Sequence, residues 1–177
     1  MMEQTVRLRV NGHDHEFAVP CDETLLETLR ERLGLASVRE TCGIGICGAC
    51  TVLANGRPLS SCLLLSVLAE GLEVTTLEGL SGSDGALHPV QQAFLDQQAF
   101  HCSYCTPGMI LSVVALLAEN LAPTPEDVAR YLAGNLCRCG SYLRILAAVQ
   151  DAAARLQAAH ADRSDVGIAR SMPTPGR

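Results

Sequence analysis

Eight of the nine cysteines fall into two compact groups. The members of the first group are Cys42, Cys47, Cys50 and Cys62. The members of the second group are Cys102, Cys105, Cys137 and Cys139. Dense cysteines behind an N-terminus that predicts no signal peptide more often bind metal than form disulfides. Cys21 stands apart, and we expect it to be a small, partly buried thiol.

The first group has the spacing C-x4-C-x2-C, and its fourth cysteine follows after eleven further residues. This is the spacing of plant-type [2Fe–2S] loops, whereas zinc sites favour paired C-x2-C knuckles. Gly43, Gly45 and Gly48 lie among these cysteines, where they allow positive φ angles and a close approach of peptide N–H groups to sulfur. The group therefore predicts an iron–sulfur cluster, with zinc and disulfides as the alternatives.

The second group combines C-x2-C with C-x-C, and 31 residues separate the two pairs. Spacing alone leaves zinc open for this group. Both pairs fall at the ends of predicted helices, so two loops can meet at one end of a bundle and offer four thiolates. Arg138 lies between two of these cysteines, where it either balances local charge or is solvated.

The residues that flank the first group predict strands and one helix. Alternating apolar side chains, Asn-Gly hairpin pairs and a Thr-capped leucine face define these elements. They are strands at 4–10 and 15–19, a helix at 24–34, a hairpin over 51–62 and a strand at 72–77. Two hairpins around one helix predict a small β-grasp domain over residues 1–80.

The residues that flank the second group predict helices. The Ser/Gly-rich stretch 81–86 predicts a linker before them. The predicted helices span 88–98, 108–120, 124–134 and 141–159. They predict a four-helix bundle over residues 87–160, which gives an α+β fold class for the whole chain. Residues 161–177 are polar and lack apolar periodicity, and they predict a disordered tail.

The composition argues against two classes of partner. The net charge is −6, and the basic residues are all arginines scattered along the chain, whereas a nucleic-acid surface needs a basic stripe. The longest apolar run, 109–118, is about half the roughly twenty residues that a membrane span needs. We therefore expect no nucleic-acid partner and no transmembrane segment.

Four motifs in a fixed order carry a family resemblance. CGIGICGAC (42–50), Cys62, CSYCTPGM (102–109) and CRCGSY (137–142) resemble the small iron–sulfur subunit of the molybdenum hydroxylases, the xanthine oxidase and aldehyde oxidase family. The resemblance covers residues 3–158. It implies two [2Fe–2S] clusters: the first cysteine group would hold the ferredoxin-like cluster, and the second would hold the cluster of a helical domain.

The resemblance also implies a function. The chain would be an electron-transfer subunit of an oxidoreductase complex, with no catalytic residue of its own. A large partner subunit would hold molybdopterin and perform the substrate chemistry. Electrons would pass through the helical cluster and then the ferredoxin-like cluster to an external acceptor.

Several residues depart from the family pattern. His101 stands where the family usually has a Gln that bonds to the pterin. We expect His101, together with Cys139, to keep an altered contact with that cofactor, or His101 to lie in the subunit interface. Ser103 replaces a usual Gly, and Leu143 replaces a common Pro. None of these changes removes a cysteine.

The form CRCG-x-Y is similar to that of two-component bacterial dehydrogenases related to isoquinoline oxidoreductase. These enzymes often pass electrons to a cytochrome c. Relatives with a flavin share the form, so a subunit that carries FAD is the alternative acceptor.

Two other functions stay open from the residues alone. One is a structural zinc protein, and the other is an iron–sulfur redox sensor that works without an enzyme. We expect a cytoplasmic protein, with the periplasm as the alternative if a partner's export signal carries the folded complex.

Overall fold

A mixed sheet forms from the N-terminal half of the chain in this computed structural model, which describes residues 2–82 and 84–169. The strands are β1 (Glu3–Val10), β2 (His13–Pro20), β3 (Thr51–Ala54), β4 (Arg57–Ser60) and β5 (Glu73–Thr75). Their order in the sheet is β2-β1-β5-β3-β4. β1 and β5 run parallel, and the other neighbouring strands run antiparallel.

Both predicted hairpins are confirmed. β1 pairs with β2 across Asn11-Gly12, and β3 pairs with β4 across Asn55-Gly56. All four turn residues have positive φ angles, which Asn and Gly adopt more easily than other residues. The expected alternation in β1 is also confirmed, because Val6, Leu8 and Val10 are buried between exposed neighbours.

A short helix packs on the sheet and leads to the first cysteine loop. α1 (Leu25–Glu27) has Thr24 as its N-cap, as the sequence predicts, and the Thr24 side chain forms a capping box with Glu27. A π-helical turn, Thr28–Arg32, continues it. Leu25 and Leu29 are fully buried against the sheet.

The second half of the described chain is helical. Its helices are α2 (Pro89–Asp96), α3 (Thr106–Glu119), α4 (Pro125–Tyr131) and α5 (Tyr142–Ala169). α3 is buried on nearly all sides, as its apolar sequence predicts. α4 begins with a capping box between Thr124 and Asp127. None of the helices in the described ranges combines the length and apolar character that a membrane crossing requires.

The last helix extends beyond the predicted boundary. α5 reaches Ala169, so residues 161–169 are helical where the sequence led us to expect part of a disordered tail. The stretch that leads into them is rich in alanine and contains no proline, which favours continuation of the helix. Residues 170–177 lie outside the described residues.

The two halves pack directly on each other. Leu53 of β3 is buried together with Leu111 and Ala115 of α3. Leu77 and Leu80, which follow β5, pack against the helical core. This packing places the start of α3, and the pair Cys102 and Cys105 just before it, beside the sheet whose loops carry the first cysteine group.

Candidate metal centres

The first cysteine group lies on the glycine-rich loop before β3, and Cys62 joins it from the end of β4. Gly43, Gly45 and Gly48 have φ angles of 64°, 72° and 68°, which confirms the expected left-handed backbone at these glycines. The loop wraps around Cys42 as a result. A loop of this shape can direct its peptide N–H groups at sulfur, which is the arrangement that an anionic cluster needs.

Two thiols of the first group have pKa values that are shifted in opposite directions. The pKa of Cys42 is lowered to about 6, first by the peptide N–H of Ile44 and then by the backbone and thiol of Cys47. The pKa of Cys62 is raised to about 11, first by burial and then by the neighbouring Cys50 thiol. The Cys47 thiol thus acts on the pKa of Cys42, and the Cys50 thiol acts on that of Cys62, so the members of each pair lie near each other.

The second group shows the same pairing. The pKa of Cys102 is lowered, first by the peptide N–H of Tyr104 and then by the Cys139 thiol. Burial raises the pKa of Cys105 to about 12, and the adjacent Cys137 thiol adds to this. The Cys139 thiol thus acts on the pKa of Cys102, and the Cys137 thiol acts on that of Cys105.

Cys137 is a buried thiol whose pKa is nonetheless lowered. Burial raises its pKa, but hydrogen bonds outweigh burial and the pKa is lowered overall. The main donor is Ser141, whose peptide N–H lies 3.5 Å from the Cys137 sulfur. A low pKa suits a thiol that must bind metal as thiolate.

The paired arrangement fits a diiron cluster. Within the described residues, no three or more His, Cys, Asp or Glu side chains converge where a single ion would sit. A [2Fe–2S] cluster takes four cysteines over its two irons, so two close pairs match it. The buried hydroxyl of Thr106 also finds no hydrogen-bond partner in the described part of the chain, and the buried Ser141 hydroxyl finds only the Cys137 sulfur. Buried hydroxyls need acceptors, and sulfur atoms of a cluster beside these residues would supply them.

The second group has one exposed edge. Cys102 and Cys139 are exposed, and so is the neighbouring His101. Cys137 is buried, and Cys105 is half-buried. A cluster held here would therefore be accessible from the side of Cys102 and Cys139 and shielded on the other side.

The loops of the two groups meet at one junction. The peptide N–H of Leu136 donates to the carbonyl oxygen of Cys47 over 2.9 Å. Next to it, the buried Asn135 amide donates to Gly48 O at 3.1 Å and to Thr51 Oγ1 at 3.2 Å. The Asn135 carbonyl accepts a hydrogen bond from Ser112 at 2.9 Å. Asn135 thus ties β3 and α3 to the loop that carries Cys137.

Two glycines allow this close approach. A Cβ atom at Gly48 would overlap Gly134 O and the Asn135 amide. A Cβ atom at Gly108 would overlap Gly48 O. The junction therefore needs glycine at both positions, independently of any turn.

Sequence reasoning missed three residues at this interface. Asn135 directly follows the predicted helix at 124–134 and had no predicted role, and Arg39 and Tyr104 were not singled out. Arg39 contacts the backbone of Ser103, 64 residues away in the chain. No local pattern signals such a contact. Arg138, which we considered as a charge-balancing residue, is exposed and makes no hydrogen bond or ion pair within the described residues.

Comparison with known proteins gives consistent matches across both halves. The domain family described as "2Fe-2S iron-sulfur cluster binding domain" matches residues 8–75. The family described as "[2Fe-2S] binding domain" matches residues 76–150.

Two curated relatives illustrate the similarity in sequence. The iron-sulfur-binding subunit of an aldehyde oxidoreductase from Escherichia coli K12 is 46% identical over 165 residues, which cover 85% of this chain and 72% of the relative. The small FeS subunit of nicotinate dehydrogenase from Eubacterium barkeri is 44% identical over 88% of this chain and 98% of its own length.

Two solved structures illustrate the similarity in fold. Quinoline 2-oxidoreductase from Pseudomonas putida 86 superposes with a TM-score of 0.82 and 39% identity, over 86% of this chain and 94% of the matched chain. The aldehyde oxidoreductase from Desulfovibrio desulfuricans superposes with a TM-score of 0.82 and 44% identity, over 88% of this chain and 17% of that longer chain.

Proposed function

Since the chain belongs to the family of iron–sulfur subunits of the molybdenum hydroxylases, we propose that its two cysteine groups are the ligands of two [2Fe–2S] clusters. The first group, Cys42, Cys47, Cys50 and Cys62, holds the ferredoxin-like cluster. The second group, Cys102, Cys105, Cys137 and Cys139, holds the helical cluster. The observation that carries this assignment is that the two families of [2Fe–2S]-binding domains match residues 8–75 and 76–150, and each match spans one of the two cysteine groups.

The chain is an electron-transfer subunit, and its partner is a large subunit that carries molybdopterin. Each cluster, when bound, accepts and releases one electron at a time. The protein holds the thiolates, directs peptide N–H groups at them and excludes water from the buried pair. No proton or bond rearrangement is required of its side chains.

The exposed edge of the second group faces the large subunit in this proposal. His101, Cys102 and Cys139 are exposed there, so a cofactor of the partner can approach this side. We assign the contact with the pterin to His101 and Cys139. The His101 ring is able to donate or accept a hydrogen bond where the family usually has Gln.

The hydrogen bond between Leu136 and Cys47 gives the short path between the clusters. Leu136 directly precedes Cys137, a ligand of the helical cluster in our assignment. Its N–H contacts the carbonyl of Cys47, a ligand of the ferredoxin-like cluster. One hydrogen bond and a few covalent bonds therefore join the two ligand sets.

The external acceptor receives electrons from the ferredoxin-like cluster. We propose a cytochrome c or a flavin subunit as this acceptor. Ile44, Ile46 and Leu63 are exposed around the first group, so an apolar surface is available on that side. Whether FAD copurifies with the complex decides between the two acceptors.

The finer organisation is part of the same proposal. Helices α2 to α5 form a four-helix bundle that corresponds to residues 87–160, after a β-grasp domain over 1–80 and a linker at 81–86. The separate hydrophobic cores of the sheet and of the helices support this division. We place the complex in the cytoplasm, where metal cofactors are inserted, with export to the periplasm by a partner's signal as the alternative.

Cysteine variants in the complex with the large subunit test the order of the clusters. The substrate is an aldehyde or nicotinate, whichever reduces the wild-type complex. In Cys50→Ser, we expect the substrate still to produce the EPR signal of the helical cluster, while reduction of the acceptor is lost. In Cys137→Ser, we expect the substrate no longer to produce the ferredoxin-like signal. The opposite pattern would reverse the order.

A further inference from the structure

Arg39 extends from the sheet half of the molecule to the second cysteine group. Its backbone N–H donates to Ala49 O over 3.4 Å, next to the ligand loop of the first group. Its guanidinium, in contrast, donates to the carbonyl oxygen of Ser103, which lies between Cys102 and Cys105. The side chain is half-buried, so this charge is partly withdrawn from water.

Tyr104 completes the contact from the opposite side. The Arg39 guanidinium carbon lies 5.1 Å from the centroid of the Tyr104 ring, within the range of a cation–π interaction. The Tyr104 hydroxyl donates to the carbonyl oxygen of Glu40 over 2.7 Å. We call the four residues Arg39, Glu40, Ser103 and Tyr104 the Arg39–Tyr104 clasp.

The clasp acts on one peptide group. The carbonyl of Ser103 and the N–H of Tyr104 belong to the same planar unit, so fixing the carbonyl fixes the direction of the N–H. A hydrogen bond from that N–H is the largest cause of the lowered pKa of Cys102. Ser103 has a φ angle of 61°, an uncommon conformation for serine, and the clasp contributes to holding it. A cation on the carbonyl side also polarises the peptide and strengthens the hydrogen bond on the N–H side.

We propose that Arg39 is a positioning residue that raises the reduction potential of the helical cluster from the ferredoxin-like half of the molecule. The inference rests on the proposed ligand role of Cys102. Reduction adds one electron and therefore one negative charge to the cluster. A nearby cation and a strengthened N–H hydrogen bond to a ligand sulfur stabilise that charge. The residue thus favours entry of the electron from the molybdenum side.

Arg138 is closer to the ligands in sequence but less suited to this role. Its side chain is exposed, so water and salt screen its charge. Arg39 is half-buried and is connected to a ligand through a single peptide group. The structure therefore assigns the tuning charge to the residue that is distant in sequence.

An EPR-monitored redox titration of the complex tests this inference with Arg39→Gln. We expect the midpoint potential of the helical cluster to become more negative by at least about 59 mV. For one electron, this shift corresponds to a tenfold change in the equilibrium constant of reduction. The midpoint potential of the ferredoxin-like cluster should shift less. Arg39→Lys keeps the charge but loses the planar fork, so its midpoint should lie between those of wild type and Arg39→Gln.

Arg30→Gln is the matched control. Arg30 donates to the carbonyl oxygen of Val38 over 2.7 Å and so supports the same segment without contact with Ser103. Both midpoints should stay at their wild-type values in this variant. An unchanged helical midpoint in Arg39→Gln, or equal shifts in the two variants, would overturn the inference. A wild-type complex without two cluster signals would overturn the ligand assignment, and the inference with it.

Discussion

The peptide N–H of Leu136 donates to the carbonyl oxygen of Cys47 over 2.9 Å, and this bond joins the loops of the two cysteine groups. The buried Asn135 amide reinforces it from the preceding residue. A displacement of either loop would break these bonds. The separation of the two clusters is therefore fixed by the packing of the two halves of the chain.

Gly48→Ala tests the close packing of this junction. A Cβ atom there would overlap Gly134 O and the Asn135 amide, and the φ angle of 68° adds strain for alanine. We expect a loss of about 3 kcal/mol in stability and a clear fall in the unfolding temperature of the iron-loaded chain.

Gly12→Ala serves as the control for the Gly48 prediction. Gly12 has a φ angle of 80°, but no atom lies within 4 Å of the position that an added Cβ would occupy, so only backbone strain applies. The Gly12→Ala variant should lose about 1 kcal/mol of stability. Equal losses in the two variants would show that packing at Gly48 contributes nothing.

Asn135→Ala tests the polar contacts of the junction. The change removes three buried hydrogen bonds: those to Thr51 and to the Gly48 carbonyl, which remain bonded to each other, and the one from Ser112, whose hydroxyl loses its acceptor. We expect a cost of about 3 kcal/mol, since each buried hydrogen bond contributes about 1 kcal/mol. Asn120→Ala, which removes an exposed bond to the Ala122 N–H, should cost clearly less in the same denaturation experiment. Similar costs would contradict the role of Asn135.

Cys62→Ser tests the proposed ligand role of Cys62, the member of the first group that is most distant in sequence. We expect iron to fall from roughly four to roughly two per folded chain, with loss of the ferredoxin-like EPR signal alone. Cys21→Ser should retain all the iron, because Cys21 belongs to neither group. Full iron in Cys62→Ser, or iron loss in Cys21→Ser, would refute the assignment.

Glu23→Gln tests the ion pair between Glu23 and Arg32. The hydrogen bond from Arg32 is the main cause of the lowered pKa of Glu23, and the contact is 2.6 Å long. Because the folded-state pKa is lowered, this pair stabilises the protein above pH 4.5, and its contribution is lost as the pH falls through the folded-state value. We expect Glu23→Gln to cost about 1 kcal/mol near pH 7 and progressively less below pH 4.5.

The control for the ion pair is Glu31→Gln. The Glu31 carboxylate is largely exposed and lies 4.0 Å from Arg30. The stability of the Glu31→Gln variant, measured by urea titration, should match that of wild type at each pH. A cost of Glu23→Gln that does not change with pH would mean that packing, rather than charge, is the cause.

The local elements were accessible from sequence because their signals are local. The Asn11-Gly12 and Asn55-Gly56 pairs define the hairpins, and Thr24 and Thr124 cap helices as predicted. Cysteine spacing was sufficient to separate the two groups and to indicate iron–sulfur chemistry for the first. The extension of α5 to Ala169 was missed, since polar residues without apolar periodicity gave no helical signal.

The contacts between the halves were not accessible from sequence. Asn135 reaches Gly48 across 87 residues, and Arg39 reaches Ser103 across 64. No window of periodicity or propensity spans such distances. The order of the cysteines likewise does not reveal that the Cys139 thiol helps to lower the pKa of Cys102. These relationships depend on how α3 packs against β3, which only the folded chain determines.

Metal and sulfide analysis of the purified complex, combined with EPR after reduction by dithionite, tests the central claim most directly. The account predicts roughly four iron and four acid-labile sulfide per chain, with two distinct [2Fe–2S] signals. Zinc in place of iron, or eight cysteines joined in disulfides, would contradict it.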